Sequence, residues 1–204
     1  MDYFLSREKE VFIEGGCGKI QAGLMVGENA EVCVLVCHPH PQYQGTMFNK
    51  VVTTVVKAAT KKNLSCLRFN YRGVGKSQGS YAGGIGEEQD ALVAGKWLLK
   101  KSGCQKLFLI GFSFGGGIAY RAQRELPCQG VLLICPSIKS QNDHQPLGCP
   151  LWVLQAQEDE VIDCRKVSAW SKSVGVTEMI MIEGASHFFH GKLLELQSEL
   201  ERLL

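Results

Sequence analysis

A chain of 204 residues, 45% hydrophobic and 21% charged, is long enough to bury one substantial core and is expected to form a single globular domain over 1–204. A formal net charge of +2 without any dense Lys/Arg block argues against a nucleic-acid partner. No apolar run approaches the ~18 residues of a membrane-spanning helix, and Met1-Asp2-Tyr3-Phe4-Leu5-Ser6-Arg7 lacks a basic stretch leading into an apolar core, so no membrane span is expected and the default compartment is cytoplasmic.

In chain order, residues 10–14 and about 18–26 are short alternating segments separated by Gly15-Gly16, and read as an antiparallel hairpin at a sheet edge. A regular alternation follows: strand near 31–37, helix near 47–62, strand 64–69, loop 70–85, helix 86–101 and strand 106–111. It continues with helix 115–126 stopped by Pro127, strand 130–135, loop 136–149, strand 150–156, helix 163–173, strand 177–183 and helix 190–204. Strands alternating with helices predict an α/β fold with a mainly parallel sheet covered on both faces. Several of the nine cysteines lie inside apolar runs such as Val32-Cys33-Val34-Leu35-Val36-Cys37, and are expected to be buried reduced thiols.

The chemistry is concentrated where strands end. Gly111-Phe112-Ser113-Phe114-Gly115 is a G-x-S-x-G placed between the apolar run Leu107-Phe108-Leu109-Ile110 and a helix, the setting of a nucleophile elbow. The turn is tight enough that side chains two before and two after the serine would strike neighbouring backbone. Ser113 would stand at a strand's C-terminal end, facing the positive end of the next helix. A serine needs a base and an orienting carboxylate, and on this kind of sheet they should follow in the order Ser, Asp/Glu, His. Glu158-Asp159-Glu160 comes directly after the strand Leu151-Trp152-Val153-Leu154-Gln155-Ala156, and Gly184-Ala185-Ser186-His187 comes after the strand beginning at Thr177. Asp159 is the leading carboxylate, with Glu158, Glu160 and Asp163 in reserve. His187, preceded by small residues, is preferred over His190 as the base.

Cys37-His38-Pro39-His40-Pro41 follows the third strand, where a second oxyanion donor is usually built. Prolines carry no N–H, so the backbone amide of His40 is the best placed donor there, and that of Phe114 would be the other. Cys37, His38 and His40 form only a weak zinc pattern, without a second paired ligand set, and no metal or cofactor is expected. Gly73-Val74-Gly75-Lys76-Ser77 imitates the end of a phosphate-binding loop, but Asn70 stands where that pattern requires glycine and no helix opens behind it. The stretch 137–150, with Asp143 and His144, reads either as a solvated loop or as part of a substrate pocket. His38, Tyr43, Phe112, Phe188 and His190 are further pocket candidates; for the aromatic residues a plain core role is the competing reading.

Together these residues resemble the α/β hydrolase superfamily, and more narrowly its small lidless predicted hydrolases close to the dienelactone-hydrolase-like enzymes. The likeness runs through His38-Pro39-His40-Pro41, Gly45-Thr46-Met47, Asn49-Lys50-Val51-Val52 and Arg68-Phe69-Asn70-Tyr71-Arg72-Gly73-Val74-Gly75. It continues through Ser77, Gly79, Gly86, Asp90, the serine motif, Asp159-Glu160-Val161 and His187-Phe188-Phe189-His190. It implies an α/β-hydrolase core with an antiparallel N-terminal hairpin and no cap domain, a triad of Ser113, Asp159 and His187, and a structural turn at 72–79 held by pairing of Arg72 with Asp90. Dienelactone hydrolases themselves carry a cysteine at the position of Ser113. The expected activity is that of a serine hydrolase cleaving a small acyl ester; thioester, amide or peptide cleavage on the same triad, and a non-catalytic binding or interaction protein on this fold, are the alternatives.

Overall fold

The computed structural model describes residues 7–138 and 147–204; the candidate residues Asp143 and His144 lie outside them. Eight strands form one sheet: β1 (Lys9–Gly15), β2 (Gly18–Met25), β3 (Val32–Cys37), β4 (Ser65–Phe69), β5 (Lys106–Phe112), β6 (Cys128–Ile134), β7 (Leu151–Ala156) and β8 (Glu178–Ile182). Their order is β1-β2-β4-β3-β5-β6-β7-β8. The expected hairpin is present, with β1 and β2 antiparallel, β2 antiparallel to β4, and every later pairing parallel.

Side-chain alternation along the strands divides the interior in two. Leu35, Leu107, Leu109, Leu133 and Val153 point into a core closed by α2 (Ile85–Ser102), α3 (Phe114–Ala122) and α4 (Cys164–Val174). Val34, Val36, Phe108, Ile110 and Leu132 point into the other, closed by α1 (Lys50–Lys61) and α5 (Leu193–Leu203). Buried on both faces, the central strands read as continuous apolar runs, as expected for a parallel sheet under two helical layers. All nine cysteines are free, and Cys33, Cys37, Cys66, Cys104 and Cys135 are buried. No helix among the described residues is long and apolar enough to cross a membrane.

The structure departs from the predicted limits by more than one or two residues at three helix ends, each time for a local reason. The first helix begins at Lys50 instead of 47, because residues 46–49 form a turn and the Asn49 side chain accepts the N–H of Val51 as its N-cap. The last begins at Leu193 instead of 190, since Phe189 (φ 53°) and Gly191 (φ 73°) hold the preceding loop in left-handed conformations. The helix after Ser113 tightens at Gln123–Glu125 into a 3₁₀ turn before Pro127.

Candidate active site

Ser113 connects β5 to α3 with φ 56° and ψ −117°, a strained backbone for a residue with a side chain. Two glycines permit the turn: a Cβ at Gly111 would meet the carbonyl of Gly115, and a Cβ at Gly115 would meet the carbonyls of Cys37 and His38. The strain is held by backbone bonds to the neighbouring strand end, with the Ser113 N–H donating to Ile134 O at 2.9 Å and the Ser137 N–H donating to Ser113 O at 2.9 Å. Because α3 starts at Phe114, its first amides lie directly beside the serine. The carbonyl contacts at Gly115 also show how closely the segment after β3 approaches the elbow, so that the His38–His40 region borders the serine.

Asp159 follows β7 in a bend its own side chain stabilises. Its Oδ1 accepts the N–H groups of Val161 (2.9 Å) and Ile162 (2.7 Å), and its Oδ2 accepts Gln155 Nε2 (3.0 Å) and His187 Nδ1 (2.8 Å). The Asp159 carboxyl is fully buried and the His187 ring is 2% exposed. Burial pushes the acidity of Asp159 one way, but the His187 ring and the two loop amides together hold it below the ordinary carboxylate range. Of the reserve carboxylates, Glu160 accepts the backbone N–H of His187 at 3.0 Å, and that bond keeps its own pKa low. Asp163 caps α4 by accepting the N–H of Arg165, and Glu158 is exposed. Thus two successive acidic residues hold one histidine, Asp159 by its ring and Glu160 by its backbone.

The His187 ring lies 5.0 Å from that of Phe112, the residue before the serine. Cys135, which the sequence reading did not single out, completes the surroundings: its Sγ, an Asp159 oxygen and a His187 nitrogen all lie within 4.8 Å of one another. Cys135 directly follows Ile134, the acceptor of the Ser113 N–H, so serine, carboxylate and imidazole are gathered around the ends of β5, β6 and β7. The donor set could suit a soft cation, but the carboxylate and imidazole are engaged with each other, and burial together with the adjacent Asp159 charge keeps the thiol protonated. Cys135 itself has φ 42°, a conformation invisible in its apolar sequence context.

A cleft of about 380 Å³ opens beside the elbow. His40, Tyr81, Phe114 and Tyr120 give it aromatic walls, and Gly83, Gly84 and Gly117 line it without side-chain bulk. The His40 ring stands 4.6 Å from that of Phe114 and 5.2 Å from that of Tyr81. At the cleft's polar end the Arg121 Nε donates to Glu88 Oε2 at 2.6 Å. This lining differs from the sequence-derived pocket set. His38 and Phe112 are buried behind the site, and Tyr43, Phe188 and His190 are exposed outside the cleft. Tyr81, Glu88 and Arg121 carried no local signal, because they come from the loop before α2, from α2 and from α3, and only tertiary packing brings them together.

The loop 72–79 is held as a structural turn, as the resemblance implied. Arg72 donates through Nε (3.0 Å) and Nη2 (2.8 Å) to the Asp90 carboxylate, which also accepts the Arg72 N–H. Asn70, at the place a phosphate loop would give to glycine, accepts Met47 N–H and donates to Gln21 Oε1.

No protein-family model matches the chain. An uncharacterised protein of Rickettsia prowazekii (strain Madrid E), RP471, is 32% identical over 202 residues, covering 91% of this chain and 84% of that one. An α/β serine hydrolase homologue from Coxiella burnetii superposes with a TM-score of 0.90 at 34% identity, covering 96% of this chain and 97% of its own. XC6422 from Xanthomonas campestris, described as an α/β serine hydrolase without a lid, superposes with a TM-score of 0.88 at 30% identity, covering 97% of this chain and 93% of its own.

Proposed function

This chain belongs to the α/β hydrolase superfamily, among its lidless members, and we propose that it is a serine hydrolase that cleaves small acyl esters through Ser113, His187 and Asp159. The observation that carries the reading is the buried Asp159–His187 pair, oriented at 2.8 Å and set beside a strained serine elbow. His187 Nδ1–H donates to Asp159, which leaves Nε2 as the basic nitrogen. Nε2 takes the Ser113 proton as Oγ attacks the substrate carbonyl, and Asp159 stabilises the imidazolium that forms. The tetrahedral oxyanion is held by the amides of Phe114 and His40. When the intermediate collapses, the C–O bond to the alcohol breaks and His187 returns its proton to the departing oxygen. Water then attacks the acyl-enzyme and yields a proton to His187, which passes it to Ser113 Oγ as the acyl C–O bond breaks and the carboxylic acid is released.

The cleft beside Phe114 takes the substrate. Its size and aromatic walls suit a short or planar acyl ester, and the Glu88–Arg121 ion pair at its polar end offers a charge-balanced, hydrogen-bonding boundary. A panel of p-nitrophenyl esters, matched thioesters and anilides tests this reading. The expected result is ester turnover that falls by about 10⁴-fold or more in Ser113→Ala. Wild-type turnover in Ser113→Ala would refute the assignment, and preference for the thioester series would redirect it to that bond.

A further inference from the structure

We propose that His38 is a positioning residue: its imidazole holds the Pro39 carbonyl toward β4 and so turns the other end of the same peptide, the N–H of His40, toward Ser113. The inference rests on the serine-hydrolase reading, because it concerns the oxyanion donor of that reaction. His38 is completely buried. Its Nδ1 lies 2.6 Å from Pro39 O, and its Nε2 lies 3.2 Å from the backbone N of Tyr71. The Tyr71 N–H can only donate, so Nε2 is the bare nitrogen, and Nδ1 carries the proton it gives to Pro39. Neither nitrogen is left for a metal or for general base catalysis. Burial pulls its pKa down to about 3, against the opposing pull of the Pro39 bond, and the ring is neutral throughout the neutral range.

The direction of the His40 amide follows from peptide geometry and sheet order. In a planar trans peptide the C=O and the following N–H point opposite ways. Tyr71 lies just past β4 and Ser113 just past β5, and β3, which leads into His38, lies between them in the order β4-β3-β5. A carbonyl drawn to the imidazole anchored on the β4 side therefore leaves its partner N–H aimed at the β5 side. Pro39 and Pro41 have no N–H, so only His40 within 39–41 can donate a backbone proton there. The loop beyond is tied as well, since His40 O accepts the N–H groups of Tyr43 (3.1 Å) and Gly45 (3.0 Å).

Two near-isosteric variants separate aiming from mere packing. His38→Asn keeps a donor close to Pro39 O but abandons Tyr71. His38→Gln can still accept the Tyr71 N–H but offers no proton at the Nδ1 position. We expect His38→Gln and His38→Ala to lose about 10–10² in kcat with KM little changed, and His38→Asn to retain clearly more, even if its melting temperature is no higher. An independent readout is the ¹⁵N-imidazole NMR signature of His38 in the wild-type protein, expected to be that of the neutral Nδ1–H tautomer from pH 8 to pH 4.5. Equal kcat in Asn and Gln variants, losses that only track melting temperature, or an Nε2–H tautomer would overturn the proposal while ester turnover by the wild type upheld the enzyme. A wild type that neither turns over esters nor labels at Ser113 would overturn the hydrolase reading and the positioning role with it.

Discussion

The four donors around Asp159 act on its charge as well as on its position. Both carboxylate oxygens are occupied, so the group cannot rotate, and its pKa lies below the ordinary range. With a folded pKa below the unfolded one, the contribution of Asp159 to stability is complete above the unfolded value and is lost as pH falls through the folded value. Asp159→Asn removes the charge and offers the His187 ring an amide that favours the wrong tautomer. Its kcat should fall by about 10⁴-fold at neutral pH, and steady-state kinetics would check it. His38 acts in the same direction on acid stability for another reason: it is neutral when folded, with a pKa of about 3, but titrates near 6.5 when exposed. Between those values the unfolded chain binds the extra proton, so stability should fall by about 1.4 kcal/mol per pH unit on acidification. Urea midpoints from pH 7 to pH 4 should show a shallower slope in His38→Asn than in wild type; identical slopes would contradict the buried neutral ring. At this scale the sequence disclosed Ser113, Asp159 and His187 as candidates because each sits in a short motif at a strand end. It did not disclose the contacts of His38, Glu160 or Cys135, since each depends on a neighbour supplied by a different segment.

Among the elements, α2 is tied to the loop before it through Asp90. That carboxylate receives three N–H bonds from Arg72, with both side chains buried, and Arg72 Nη1 also reaches the thiol of Cys17 at 3.3 Å. Asp90→Ala would strand a buried guanidinium, at a cost of about 3–5 kcal/mol, visible as a lower denaturation midpoint. An unchanged midpoint would mean that the loop is held by its other bonds alone. Because α2 also carries Glu88, its displacement should disturb the cleft and raise KM before it touches kcat. Element types were legible from the period of the apolar residues, and helix ends less so. The turn at 46–49 keeps its helix from starting at 47, because Asn49 caps in place of extending it, and periodicity cannot register a cap.

Across the whole molecule, the parallel alternation could be read from the chain, whereas the strand order could not. The order decides the site, because β3 between β4 and β5 sets the segment after β3 against the elbow, and β7 and β8 bring Asp159 and His187 to the same sheet edge. The cleft was the least legible feature, as its walls come from the end of β3, the approach to α2 and the body of α3. The proposed hydrolase requires that these elements activate one serine. The most direct measurement of this is labelling of the purified protein with a fluorophosphonate, read by intact mass and peptide mapping beside Ser113→Ala and heat-denatured controls. The expected result is a single adduct on Ser113 that requires the native fold and disappears in Ser113→Ala. A folded protein that takes up no label, or takes it up equally well after Ser113→Ala, would contradict it.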